Sequence, residues 1–308
     1  MNDSNDDPIA SAFAHEALRE QRTSRRWNNF FKGLFFLYLI ALLVVSWPNL
    51  APHNLFSDDK ITALVDLQGV ISSDSQASAD VIVTGLRAAF EDPSTAGVIL
   101  RINSPGGSPV QSGYINDEIH RLKAEYADIP MIAVIQDIGA SGGYYVAVAA
   151  DQIYADKSSI VGSIGVRMDG FGFVESIEKL GIERRLLTAG ENKAFLDPFV
   201  PLKQDDVLHI NGLLTEIHQQ FIDTVTKGRG ERLSDSPELF SGYVWSGAKS
   251  LELGLVDALG SAGHVAREII GAEDIVDFTP RRTVLDQFAR KMGASVSEKI
   301  FTNPLKLF

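Results

Sequence analysis

Apolar residues gather along this chain in short unbroken runs, separated by stretches in which they recur every three or four positions. "ITALVDLQGVI" at 61–71, the run within 94–103 and "PMIAVIQDIG" at 130–139 alternate too little for surface strands and predict strands buried on both faces. Between them, "ADVIVTGLRAAFED" places Val81, Val83, Leu86, Ala89 and Phe90 near a 3.6-residue period and is stopped by Pro93, while "SGYINDEIHRLKAEY" reads as a second helix. The rhythm continues with a helix from Gly142, a strand at "DQIYADK", the glycine-rich "VGSIGVRMDGFGF", a helix at "FVESIEKLG" and a strand at "IERRLLTAG". A longer helix follows from about Asp205 to Lys227, with Val207, Ile210, Leu214, Ile217, Phe221 and Val225 on one face and Gly228 as its stop. Strand and helix in alternation predict an α/β fold, a parallel sheet covered on both faces, in one domain over 61–280.

The two ends differ from this domain. Residues 30–47, "FFKGLFFLYLIALLVVSW", are apolar apart from Lys32 and predict a transmembrane helix, with Trp27 and Trp47 at its interfaces and Pro48 and Pro52 beyond it. Arg19, Arg22, Arg25, Arg26 and Lys32 precede or open the span, whereas Asp58 and Asp59 outnumber Lys60 after it. The positive-inside rule then makes 1–29 a cytoplasmic tail and 48–60 a linker, and puts everything later on the periplasmic or external side of the cell membrane. A cleaved secretory signal fits less well, since a long polar leader precedes the stretch and no A-x-A-like site follows it. At the other end, 281–308 repeats Val284, Phe288, Met292, Val296 and Ile300 at steps of four, an amphipathic stripe suited to packing on a core or a sister subunit.

Composition removes several classes of function. Among 308 residues, 40 Asp and Glu outweigh 28 Lys and Arg, giving a net charge of -12, which argues against nucleic acid as a partner. With no cysteine there is no disulfide, thiolate metal site or cysteine nucleophile.

The chemistry-bearing candidate is Ser141 in "QDIGASGGYYVAVAA", where a buried strand, a Gly-Ala-Ser-Gly turn and a helix start follow one another. Such a turn can hold a serine Oγ clear of the sheet end, with the Gly142 N–H placed for an anionic intermediate. A second strand ends in "INSPGGS", whose Gly107 N–H can point into the same crevice. The pentapeptide Gly-Ala-Ser-Gly-Gly is equally compatible with a helix packing closely on a sheet and nothing more.

A serine hydroxyl needs a base. Ser141, Asp257 and His264 stand in the chain order of an α/β-hydrolase esterase, although that triad rests on order alone. Lys193, in "LLTAGENKAFLDPF", is flanked by Ala194, Phe195, Leu196 and Phe199, and a lysine held dry there loses its charge and becomes a competent base. A surface lysine lying over apolar neighbours has the same spacing.

"VILRINSPGGSPVQSGYINDEI", "GASGGYYVAVAADQIYADKSSIVGSIGV", "GENKAFLDPF" and "YVWSGAKSLELGLVDALGS", in this order over roughly 60–275, resemble the signal peptide peptidase A (SppA) family of membrane-anchored serine proteases, peptidase family S49. The resemblance implies a ClpP/crotonase-like fold of stacked ββα units with Ser141 as nucleophile and Lys193 as general base. It implies an oxyanion hole from the Gly107 and Gly142 amides, a lysine-orienting role for Ser163, and no metal or cofactor. Ala194 departs from relatives that carry a small polar or acidic residue after the lysine. Because each motif occurs once, the resemblance also implies a homo-oligomer, an octamer, whose subunits meet at the active sites, and substrates that are signal peptides left in the membrane after secretion. A catalytically idle peptide-binding scaffold is the rival of another class.

Overall fold

The computed structural model describes residues 25–42 and 60–280, in two separate units divided near residue 58. In the first, residues 25–42 form helix α1, whose apolar side chains from Phe30 to Leu42 are exposed. The expected membrane span, 30–47, therefore lies partly outside the described residues, as the C-terminal stripe from Val284 to Ile300 does wholly. Among the described residues, no helix is long and apolar enough to cross a membrane.

The second unit is an α/β domain. Its elements run β1 (Ile61–Gln68), α2 (Ala79–Glu91), β2 (Thr95–Ser104), α3 (Pro109–Glu125), β3 (Met131–Ala140), α4 (Gly142–Ala147), β4 (Gln152–Ala155) and β5 (Ile160–Gly162). Then follow α5 (Val174–Lys179), α6 (Gln204–Arg229), a 3-10 turn Gly230–Arg232, β6 (Val244–Ser246), α7 (Gly247–Glu252) and β7 (Ala258–Leu259). Helix α8 (Ala262–His264) runs into a π-helical turn, Val265–Ile270, before β8 (Ile275–Asp277).

The strands form one eight-stranded sheet in the order β6-β5-β3-β2-β1-β8, with β4 and β7 branching off β3. All pairings are parallel except β5 with β6. β3 is shared: Ile132 to Ile135 pair with β4, whereas Ile138 to Ala140 pair with β5. That division lets the far end of β3 and the end of β5 finish side by side, which is where the site forms.

The two faces of the sheet differ. Val65, Leu67, Leu100, Ile102, Ala133 and Ile135 pack under α2, α3 and α4 in a continuous core. The opposite face holds a smaller cluster, with Leu64, Ile99, Ile132, Val134 and Tyr154 under Val265 and Ala266. Beyond that cover it turns polar, ending in a two-pronged Arg101–Asp66 ion pair at 2.5 Å, so the expected covering of both faces is complete on one side only.

Two helix readings also change. On α2 the buried residue is Ile82, while Val81 and Val83 are half-buried shoulders, because the stripe is centred one position away from the pair. On α6, Gly228 is not the stop: a Cβ there would lie 2.3 Å from the Val148 carbonyl oxygen, so it is a close-packing glycine within the helix. The turn falls at Gly230, with φ 56.

Candidate active site

Ser141 stands where β3 gives way to α4. Ala140 pairs with Gly162 across the β3–β5 ladder, and the Ser141 N–H donates to the Gly162 carbonyl at 2.8 Å. The Ser141 carbonyl in turn accepts the Tyr145 N–H at 2.9 Å. These bonds hold the residue at φ 51, ψ −124, a conformation that costs a non-glycine residue roughly 1–3 kcal/mol. A serine kept in such a strand-to-helix turn has its hydroxyl lifted from the sheet end.

The turn after β2 meets it. Ile71 donates its N–H to the Gly106 carbonyl at 2.9 Å and accepts the Ser108 N–H at 2.8 Å, bracketing Gly107. Gly107 has φ 151, and a Cβ on it would lie 2.1 Å from the Ile71 carbonyl oxygen, so the approach requires glycine. A Cβ on Gly106 would lie 2.6 Å from the Gly142 nitrogen, and one on Gly142 would lie 3.3 Å from the Gly107 nitrogen. The Gly107 and Gly142 amides thus lie side by side next to Ser141, and among the described residues neither N–H has an acceptor. Since α4 has only six residues, it is this pair of local donors, rather than a helix dipole, that can hold an oxyanion.

Two serines brace these turns from behind. The buried Ser104 hydroxyl donates to the Gly69 carbonyl at 2.6 Å and accepts the Gly106 N–H at 3.1 Å. The Ser112 Oγ lies 2.5 Å from where a Gly142 Cβ would sit. Sequence reading passed over both, although Ser104 lay inside the "INSPGG" run that drew attention.

Ser163 follows β5 as Ser141 follows β3, so the ladder register sets the two serines at neighbouring strand ends. It too has a positive φ, 52, and its N–H donates to the Tyr243 carbonyl at 2.7 Å. The next residue, Ile164, is fully buried, and its carbonyl lies 3.2 Å from His218 Nε2.

Lys193 is elsewhere in character. It sits on an exposed turn, its N–H bonded to the Gly190 carbonyl at 3.2 Å, and no hydrogen bond among the described residues joins its amine to Ser141 or Ser163. The strand expected at "IERRLLTAG" does not form: residues 182–188 have no strand structure and join no ladder of the sheet. The segment instead holds itself together. Phe173 stacks on Phe199 at 5.5 Å, the Arg184 guanidinium lies 5.6 Å from the Phe199 ring, and Arg184 bonds Asp197 at 2.8 Å. Arg184 and the Phe199 N–H keep the Asp197 carboxyl below its usual pKa. Phe195 meets His209 of α6 edge-on at 5.5 Å. Phe171 and Leu187, 82% and 97% exposed, mark an apolar surface that the described residues leave uncovered. The dry setting read for Lys193 is not made among the described residues of one chain.

The Ser141, Asp257 and His264 triad is not assembled. The Asp257 carboxylate accepts bonds from Arg229 at 2.8 and 2.9 Å, from Arg232 at 3.1 Å and from the Ile153 N–H at 2.7 Å. Burial opposes its charge, but Arg229 and the Ile153 amide outweigh that and hold its pKa below the usual range. His264 lies against Tyr154, ring centres 6.3 Å apart, on the sheet's other face.

A family model described as Peptidase family S49 matches residues 123–274. The chain is 47% identical over 186 residues to a Na(+)/H(+) antiporter NhaA of Brucella melitensis, covering 60% of this chain and 25% of that protein. It is 31% identical over 197 residues to the "Putative signal peptide peptidase SppA" of Enterococcus faecium, covering 64% of this chain and 57% of that protein. It is 30% identical over 205 residues to a "Putative protease" of Synechocystis sp., covering 67% of this chain and 72% of that protein.

Proposed function

The chain belongs to peptidase family S49, a family of serine peptidases, and from that premise we propose that it is a membrane-anchored endopeptidase with a Ser141–Lys193 dyad. The observation that carries the reading is the Gly107 and Gly142 amides lying side by side, without acceptors among the described residues, next to a serine at φ 51. A small residue in a tight turn needs no such pair of idle donors.

In the proposed reaction the neutral Lys193 amine takes the Ser141 hydroxyl proton as Oγ forms a bond to the scissile carbonyl carbon. The Gly107 and Gly142 N–H groups hold the resulting oxyanion. On collapse the C–N bond breaks, and the leaving amine takes the proton from the Lys193 ammonium. Water then adds to the ester, giving a proton to Lys193, and the acid product leaves as Ser141 regains its hydrogen. Ser163 orients the lysine amine throughout.

Lys193 comes from a neighbouring copy. Its exposed turn, the exposed Phe171 and Leu187, and the lack of a base hydrogen-bonded near Ser141 among the described residues support a homo-oligomer, proposed as an octamer of ClpP/crotonase-like ββα subunits. Residues 30–47 are proposed to anchor each subunit in the bilayer, N-terminus cytoplasmic, with 61–280 on the periplasmic or external side. Extended apolar peptides, residual signal peptides above all, are the proposed substrates.

The test is cleavage of a fluorogenic peptide with an apolar P1 residue by the full chain in detergent, comparing wild type with Ser141→Ala, Lys193→Ala and His264→Ala. Turnover lost in the first two, kept in the third and recovered on mixing the first two supports an interfacial dyad. An inert wild type, or a Lys193→Ala variant as active as wild type, sinks it.

A further inference from the structure

We infer that His218 is a positioning residue for the active site: by donating from Nε2 to the Ile164 carbonyl it fixes the turn that carries Ser163. This rests on the dyad reading above, in which Ser163 orients the lysine. The Ile164 carbonyl can only accept, so at 3.2 Å it is the imidazole that donates and Nε2 carries the hydrogen.

The Ser163 turn needs such a tie. Its φ of 52 is a conformation that persists only where the surroundings over-determine it. On one side the Ser163 N–H is bound by the Tyr243 carbonyl at 2.7 Å, and the β5 ladder fixes the residues before it. On the other side the chain runs on into "GVRMDGFGF", which forms no ladder, and His218 is the side chain that holds the first peptide leaving the turn.

His218 is itself well placed to bear load, because α6 is fixed one turn further on. Phe221 packs on the Tyr145 ring at 5.1 Å, and the Thr224 and Tyr145 hydroxyls are hydrogen-bonded at 3.0 Å. Tyr145 belongs to α4, the helix that opens at Ser141, and its N–H bonds the Ser141 carbonyl. One helix face thus ties the nucleophile's turn through residues 221 and 224, and the Ser163 turn through residue 218. The ladder joins the two turns on the strand side, and His218 braces the Ser163 turn on its outgoing side, where a misplacement of about 1 Å costs on the order of 100-fold in rate.

The test compares His218→Gln, which can place an amide N–H near the imidazole Nε2, with His218→Met, of similar length and helix propensity but without a donor. In the full chain, His218→Met is expected to lower kcat and the rate of labelling by a serine-directed phosphonate roughly 10- to 100-fold, with KM within about twofold. His218→Gln is expected to recover most of both. Equal losses in the two variants, a melting temperature that falls with activity in His218→Met alone, a change confined to KM, or no change in either overturns the inference. Turnover surviving Ser141→Ala would instead overturn the dyad reading and this inference with it. Turnover that needs Ser141 and Lys193 yet ignores His218 overturns the inference alone.

Discussion

The Ser141 amide donates to the Gly162 carbonyl at 2.8 Å, joining the turn that presents the serine to the turn that carries Ser163 through a single peptide group. Both serines have positive φ, and both follow residues paired in the same ladder. The strain of the two turns, roughly 1–3 kcal/mol each, is comparable with the net worth of one or two hydrogen bonds, so the ladder bonds beneath them are enough to hold it. The sheet register is therefore what places the site.

The two idle amides give the first prediction. Gly142→Ala puts a methyl 2.5 Å from Ser112 Oγ and 3.3 Å from the Gly107 nitrogen, so it crowds the space where an oxyanion would sit. Adding Ser112→Ala relieves the contact behind the turn but not the one in front. The double variant is expected to melt close to wild type yet to lose roughly 10²- to 10³-fold in kcat, the cost of one oxyanion donor. Recovery of full turnover in the double variant would take Gly142 out of the site.

Asp257 yields a prediction about stability rather than chemistry. Arg229 is fully buried, and removing its partner with Asp257→Asn leaves an uncompensated buried charge at a cost of about 3–5 kcal/mol. Replacing both partners, Arg229→Met with Asp257→Leu, is expected to cost less than Asp257→Asn alone. Because the folded carboxyl titrates below its unfolded value, its stabilisation is complete above an unfolded pKa of about 3.9 and fades as pH falls through the lower folded value. Urea midpoints of wild type from pH 7 to 3, set against the double variant, measure this; equal acid sensitivity of the two would exclude Asp257 as its source.

How far all this could be read from the sequence depends on what each residue's role rests upon. β1, β2 and β3 were legible because buried parallel strands leave unbroken apolar runs, and Ser141 with Gly142 and Gly107 because turns of that kind demand glycine. The strand expected at 182–190 failed because Ile182, Leu186 and Leu187 have a strand's composition but not its burial: the whole segment is exposed and pairs with no strand. His218 went unread as a tether because its partner is a backbone carbonyl 54 positions away, which no side-chain pattern can announce. The setting of Lys193 was hidden for a different reason: flanking Phe195 and Phe199 implied burial, but Phe195 spends its ring on His209 and Phe199 on Phe173, leaving the lysine outside.

Alkaline activation provides a third prediction. If Lys193 is the base, it must be neutral to accept the serine proton, and kcat/KM is expected to rise with pH. Tyr144, three residues after Ser141, is the ionisable side chain buried nearest in sequence to it, but burial pushes its phenol pKa up and its hydroxyl donates to the Leu255 carbonyl at 2.7 Å. It stays protonated through the rise. Tyr144→Phe should therefore lose about 0.5–1.5 kcal/mol of stability and keep the alkaline limb. A limb that disappears in Tyr144→Phe would assign it to the tyrosine.

The self-supporting segment around Lys193 makes the mixing experiment directional. If a chain lends its lysine to a neighbour, damage to that segment matters only in the chain that lends. Asp197→Ala removes the carboxylate that ties Arg184 and accepts the Phe199 N–H at 2.9 Å, loosening the stacked pair that shapes the turn. In mixtures, a Ser141→Ala chain donates Lys193 and a Lys193→Ala chain receives it. Placing Asp197→Ala in the Ser141→Ala chain is expected to lower the recovered turnover roughly 10-fold or more, as misplaced catalytic groups do, whereas placing it in the Lys193→Ala chain leaves most of it. Equal losses in the two placements would mean that Asp197 supports folding or assembly in every chain and does not shape the lending turn in particular.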